Sequence, residues 1–89
     1  MTKRYRHYSN YEDSVAPPKN EREWRTRFSF NLCRMMMKRG WSQKDLAYAT
    51  GITQSTMCKY MSGEVTPTLY KIMIITEALG CTIDDLAYS

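Results

Sequence analysis

The stretch Trp41-Ser-Gln-Lys-Asp-Leu-Ala-Tyr-Ala-Thr-Gly-Ile-Thr-Gln-Ser-Thr-Met-Cys-Lys-Tyr-Met-Ser-Gly63 decides how this chain folds. Ser42 can accept from the backbone of a first helical turn, so a short helix starts behind it, carries Leu46 and Ala47 inward, and stops at Gly51. Thr53 repeats the capping chemistry for the next helix, in which Met57 and Tyr60 fall on one face and Gly63 supplies the stop. Only Gly51-Ile52 connects the two. Gly51 accepts the left-handed backbone of a tight turn, Ile52 fills the elbow, and the small Ala47 lets the helices approach closely. Two short helices held at a steep angle are predicted.

Upstream, Asn20 with Glu23 three residues later has the pattern of a capping box, and Pro18 precedes it, so a first helix begins there. Trp24, Phe28, Leu32 and Met35 follow helical spacing with Met36 at the margin, and Gly40 ends the helix. Downstream, a polar loop containing Pro67 leads to a fourth helix whose inward face is predicted to hold Leu69, Ile72, Ile75, Ala78 and Leu79, ending at Gly80. Thr82 then caps a last short turn with Ile83 and Leu86 inward. No segment alternates with period two, so the fold expected is all-α, without internal repeats.

Residues 1–20 hold almost no aliphatic side chain, contain Pro17-Pro18, and interleave Lys3, Arg4 and Arg6 with Tyr5, Tyr8 and Tyr11. Such a segment cannot bury enough apolar area to offset its ordering entropy, so it is expected to be a flexible basic, tyrosine-rich arm ahead of one domain over 21–89.

Composition narrows the function classes. Thirteen Lys plus Arg against nine Asp plus Glu leave a net charge of +4, a mild bias towards a polyanionic partner. Cys33, Cys58 and Cys81 are odd in number and far apart, which points to reduced thiols and argues against a disulfide framework or a zinc site. No apolar run approaches the roughly 18 residues of a membrane span, and the basic start is not followed by an apolar segment. A cytoplasmic protein without membrane attachment is expected. The single histidine, His7, lies in the arm with no nucleophile or paired carboxylates around it, so no enzyme, cofactor or metal is expected.

The Trp41 to Gly63 stretch resembles the lambda-repressor and Cro-type (XRE-like) helix-turn-helix DNA-binding family. The resemblance continues through Pro67, Leu69, Ile72, Ile75, Ala78-Leu79-Gly80 and Ile83-Asp-Asp-Leu86, covering roughly residues 28–87. Its specificity comes from Ser-Gln before Leu-Ala, the Gly-Ile turn, Ser-Thr, Lys59, Gly63 and Ala-Leu-Gly standing in register. It implies a five-helix domain whose third helix, about residues 53–62, enters the major groove while the second lies across the DNA backbone.

With Met57 and Tyr60 inward, Gln54, Ser55 and Cys58 fall on the opposite face of the third helix, with Lys59 at its side. Gln54 is the best base reader, because an amide donates and accepts at once and so matches the N7 and N6 edge of adenine. The resemblance places Gln43 where an amide and a helix N-terminus meet a phosphate, Thr53 and Ser62 at further backbone contacts, and Lys59 at a phosphate or the groove edge. Cys58 could touch a thymine methyl or merely fill space. Lys3, Arg4 and Arg6 could reach phosphates or a narrow minor groove, or the arm's tyrosines could instead lay it on the first helix.

Two departures stand out. Family members often join the first helix to the end of the third by an ion pair, and the matching positions here are Met36 and Met61. The first helix also carries a second apolar stripe, Phe30, Cys33 and Met37, and the fourth carries Tyr70 and Ile74 at outward positions. A dimer interface, a folded-back arm or scattered surface hydrophobes would account for them. The function expected is a homodimeric, sequence-specific double-stranded DNA-binding transcriptional regulator, acting as a repressor. The alternative is a protein-interaction module, an antitoxin or adaptor that masks a toxin or regulator.

Overall fold

The structure is a computed structural model that describes residues 17–87, all of whose regular elements are helices. They are α1 (Glu21–Arg39), α2 (Gln43–Thr50), α3 (Gln54–Ser62), α4 (Leu69–Leu79) and α5 (Ile83–Ala87). The arm's Lys3, Arg4, Arg6, Tyr5, Tyr8 and Tyr11 lie outside the described residues.

The caps sit where short-range chemistry puts them. Asn20 Oδ1 accepts from the Glu23 amide at 2.8 Å, but the Glu23 carboxylate accepts from the Lys19 amide at 2.7 Å, so its return bond lands one residue earlier than a capping box requires. Ser42 and Asp45 do form the reciprocal pair, at 3.2 and 2.9 Å, and so do Thr82 and Asp85, at 3.2 and 2.9 Å. Gly51 turns the chain from α2 to α3 with φ +78°, a conformation that a Cβ disfavours.

One core holds the helices together. Phe28, Leu32 and Met36 of α1 meet Leu46 and Ile52, Met57 and Tyr60 of α3, Ile72, Ile75 and Leu79 of α4, and Leu86 of α5. Here α1 packs mainly on α3 and α5, while α2 bridges α3 and α4. Phe28 meets the Tyr60 ring edge-on, centroids 6.4 Å apart, and burial pushes the Tyr60 hydroxyl's pKa up. Met36 is buried and Met61 packs against the same core, so both positions of the missing ion pair are apolar.

Several inward and outward assignments change. Leu69 is 65% exposed, whereas Ile74 is half-buried and packed on the core. The buried face of α4 centres on Ile75 and Leu79 and turns towards Ile74 and Ala78, while Leu69, the first residue of the helix, leans past its end. Buried Pro67 lies just before that end. Ile83, first in α5, is likewise 41% exposed. Cys33 is half-buried, but Phe30, Met37 and Tyr70 are exposed, and so is Met73.

A polar layer joins α1 to the ends of its neighbours. The fully buried Asn31 donates through Nδ2 to the Leu86 carbonyl at 2.8 Å, Arg27 to Ala87 at 3.2 Å, Arg39 to Leu79 at 3.0 Å, and Arg25 to Gly63 at 3.0 Å. The last carbonyls of a helix have no partner within it, so these bonds satisfy groups that would otherwise need water.

Candidate nucleic-acid interface

The turn between α2 and α3 is closed by Thr50. Its hydroxyl donates to the Leu46 carbonyl at 2.8 Å and accepts from the Ile52 amide at 3.2 Å, which draws Ile52 into the core beneath the elbow. The amide of Gly51 donates to Ala47 at 2.9 Å. These bonds hold α3 against α2 with one face outward.

That face carries Gln54, Ser55, Cys58, Lys59 and Ser62, all exposed, opposite the buried Met57 and Tyr60. The helix contains no acidic residue and one cation, Lys59 in its last turn. Its N-terminus is therefore a positive dipole end with a neutral amide side chain, Gln54, standing on it. Gln43 occupies the equivalent first position of α2 and is half-buried.

The hydroxyls are less free than their positions suggest. Thr53 Oγ1 accepts from the Thr56 amide at 3.2 Å and donates to Thr56 Oγ1 at 3.0 Å, so its proton is committed to the cap. Thr56, which sequence reasoning left out, holds the proton that remains available. Ser62 has one proton for two acceptors, the Lys59 carbonyl and Glu64 Oε2, each at 3.1 Å. A phosphate there would have to take that proton from one of them, beside a carboxylate.

Beside α2, Trp41, Lys44, Asp45, Tyr48 and Ala49 line an open groove of about 600 Å³. Tyr48, between Ala47 and Ala49, is 92% exposed. Arg39 lies over the Trp41 ring, 5.4 Å from its centroid. Cys33, Cys58 and Cys81 are free thiols; burial, with Asp85 adding to it against Arg39, pushes the Cys81 thiol's pKa up and keeps it protonated. Among the described residues no helix is long and apolar enough to cross a membrane.

Residues 31–88 match the sequence profile of the Cro/C1-type helix-turn-helix DNA-binding domain. No curated protein sequence matches the chain. Among solved structures it is similar to an HTH_3 family transcriptional regulator from Vibrio cholerae, with TM-score 0.71 and 19% identity over 75% of this chain. The match spans 38% of that regulator. It is similar to the restriction-modification controller protein C.AhdI from Aeromonas hydrophila, with TM-score 0.65 and 25% identity over 67% of this chain and 91% of that one. A hypothetical transcription factor, NHTF from Neisseria, matches with TM-score 0.70 and 24% identity over 81% and 83% of the two chains.

Proposed function

Because the chain belongs to the Cro/C1-type helix-turn-helix DNA-binding domain family, we propose that it is a transcriptional regulator that reads double-stranded DNA with α3 and represses by occupying a two-fold symmetric operator. The observation that carries this reading is the outer face of α3, a helix without acidic residues, exposed and headed by Gln54. In the major groove Gln54 reads an adenine edge, Ser55 and Cys58 contact the neighbouring bases, and Lys59 reaches the groove edge. Gln43 at the start of α2 positions the domain on a phosphate, aided by Thr53 and Ser62 if their present partners give way. Lys3, Arg4 and Arg6 add phosphate or minor-groove contacts.

About three base contacts worth roughly 1–3 kcal/mol each leave one copy at the lower end of specific affinity, so two copies act together. The exposed Phe30, Met37 and Tyr70, with half-buried Cys33 and Ile74 beside them, offer the surfaces for that pairing. The same apolar surface favours a second reading, capture of a protein partner such as a toxin or another regulator. A DNA partner places the protein in the cytoplasm at the nucleoid.

Selection of bound duplexes from a random pool tests the proposal. Enrichment of an inverted repeat is expected. A pool that stays random through repeated rounds, from protein shown to be folded, would remove the DNA-reading role and leave the partner-capture reading.

A further inference from the structure

Of the side chains with which α1 closes its neighbours, Arg25 is the one that reaches the end of α3. Its Nε donates to the Gly63 carbonyl at 3.0 Å, and its Nη1 donates to Thr66 Oγ1 at 3.5 Å. The Thr66 hydroxyl donates to Glu21 Oε2, which itself stands 3.8 Å from Arg25 Nη1. Glu21, Arg25 and Thr66 therefore form a closed polar ring that joins the first turns of α1 to the segment between α3 and α4.

We infer that Arg25 is a positioning residue for DNA reading: it holds the C-terminal end of α3 and thereby sets the angle at which Gln54, Ser55 and Cys58 are presented. The inference rests on the DNA-binding function proposed above. Nine residues long, α3 buries only Met57 and Tyr60. These two anchors one turn apart, with half-buried Met61 packed beside them, fix where the helix sits, but apolar contact is non-directional and holds its tilt less firmly than a hydrogen bond would. A hydrogen bond at the far end supplies the missing constraint.

The bond is made to backbone, so it acts on the helix axis and not on a side-chain rotamer. Gly63 also lies against α1: a Cβ there would stand in ordinary contact, 3.8 Å from both the Arg25 carbonyl and Ser29 Oγ. Leverage makes the constraint matter. Gly63 and Gln54 lie on opposite sides of those anchors, about 13 Å apart along the axis at roughly 1.5 Å per residue. Pivoting about the Met57 and Tyr60 anchors, three and six residues from Gln54, a tilt of about 8° when the Gly63 end comes loose moves Gln54 by about 1 Å, enough to spoil a bidentate hydrogen bond. Contacts to phosphates by long flexible side chains such as Lys59 tolerate such a shift.

Three variants test this: Arg25→Ala, Arg25→Lys, which can still donate to the Gly63 carbonyl, and Thr66→Val, which keeps every charge. In the free full-length protein, Arg25→Ala is expected to speed amide exchange at residues 59–66 about tenfold while the interiors of α4 and α5 stay unchanged. On DNA it is expected to weaken the selected duplex about tenfold and random duplexes at most about threefold. Thr66→Val should lower the same discrimination to a smaller degree, and Arg25→Lys should recover most of it. Equal weakening on every duplex would make Arg25 a simple charge contact and overturn the inference, as would faster exchange throughout the domain. If Arg25→Ala does not fold, Thr66→Val decides, and undiminished discrimination in that variant rejects the inference. Failure of the underlying function looks different, because the unsubstituted protein would then distinguish no duplex at all.

Discussion

Gln54 and Lys59 share one exposed face of α3, yet their chemistry makes their losses distinguishable. An amide that accepts and donates to one base edge carries sequence information, whereas an ammonium at a phosphate carries none. Gln54→Ala is expected to weaken the best duplex by roughly 1–3 kcal/mol and to relax preference at one base pair per half-site. Lys59→Ala is expected to lower affinity on all duplexes and to make the logarithmic salt dependence shallower by about 1. Titrations of preferred and random duplexes at several salt concentrations check both. Uniform weakening by Gln54→Ala would strip it of base reading, and an unchanged salt slope would take Lys59 away from the phosphates. The outward direction of both residues was legible from Met57 and Tyr60 alone, since the helical repeat leaves the opposite face to solvent. The engagement of the Thr53 hydroxyl with Thr56, and of Ser62 with the Lys59 carbonyl and Glu64, was not, because hydroxyl partners depend on rotamers and loop path.

At the scale of elements, α5 shows how a helix too short to persist alone is kept in place. Its five residues bury Leu86 and Ala87, and Asn31 and Arg27 of α1 take up the carbonyls of those same two residues. Asn31→Ala is expected to destabilise the domain by about 1–3 kcal/mol, because the Leu86 carbonyl then stays buried without its donor. Chemical denaturation measures the loss, and a change below about 0.5 kcal/mol would mean that water or backbone movement replaces the bond. By contrast, α2 and α3 start where their own residues dictate, at Ser42 and Thr53, through bonds spanning three residues. Such caps are readable from sequence; a clasp spanning 55 residues is not.

At the scale of the molecule, the apolar residues left outside the core are the ground for expecting assembly. Phe30 is 65% and Met37 78% exposed on α1, and Tyr70 is 67% exposed on α4. Fully covering a large apolar side chain yields roughly 1.5–3 kcal/mol, so three per copy, counted twice across a two-fold axis, form a substantial contribution to pairing. Glutamate substitutions at Phe30 and Met37, or at Tyr70, are expected to leave the domain folded and monomeric by sedimentation, and to weaken binding to half-sites about 34 Å apart. If the unsubstituted protein sediments as a monomer even on its selected duplex, homodimeric action is wrong and the apolar surface serves another partner.

Five helices, their caps and stops, and the face that α3 turns outward were determined by the sequence itself, because each depends on residues no more than about four apart. Periodicity identifies which side chains share a face but leaves open how much of that face a neighbour covers. Hence Leu69, expected in the core, lies exposed, and Ile74, expected outside, packs against that core. Nothing in the sequence singles out Asn31, Arg25, Arg27 or Arg39, although each donates to a carbonyl 38 to 60 residues away. Only the tertiary structure could decide those roles, since a helix end advertises its unpaired carbonyls in space and not along the chain.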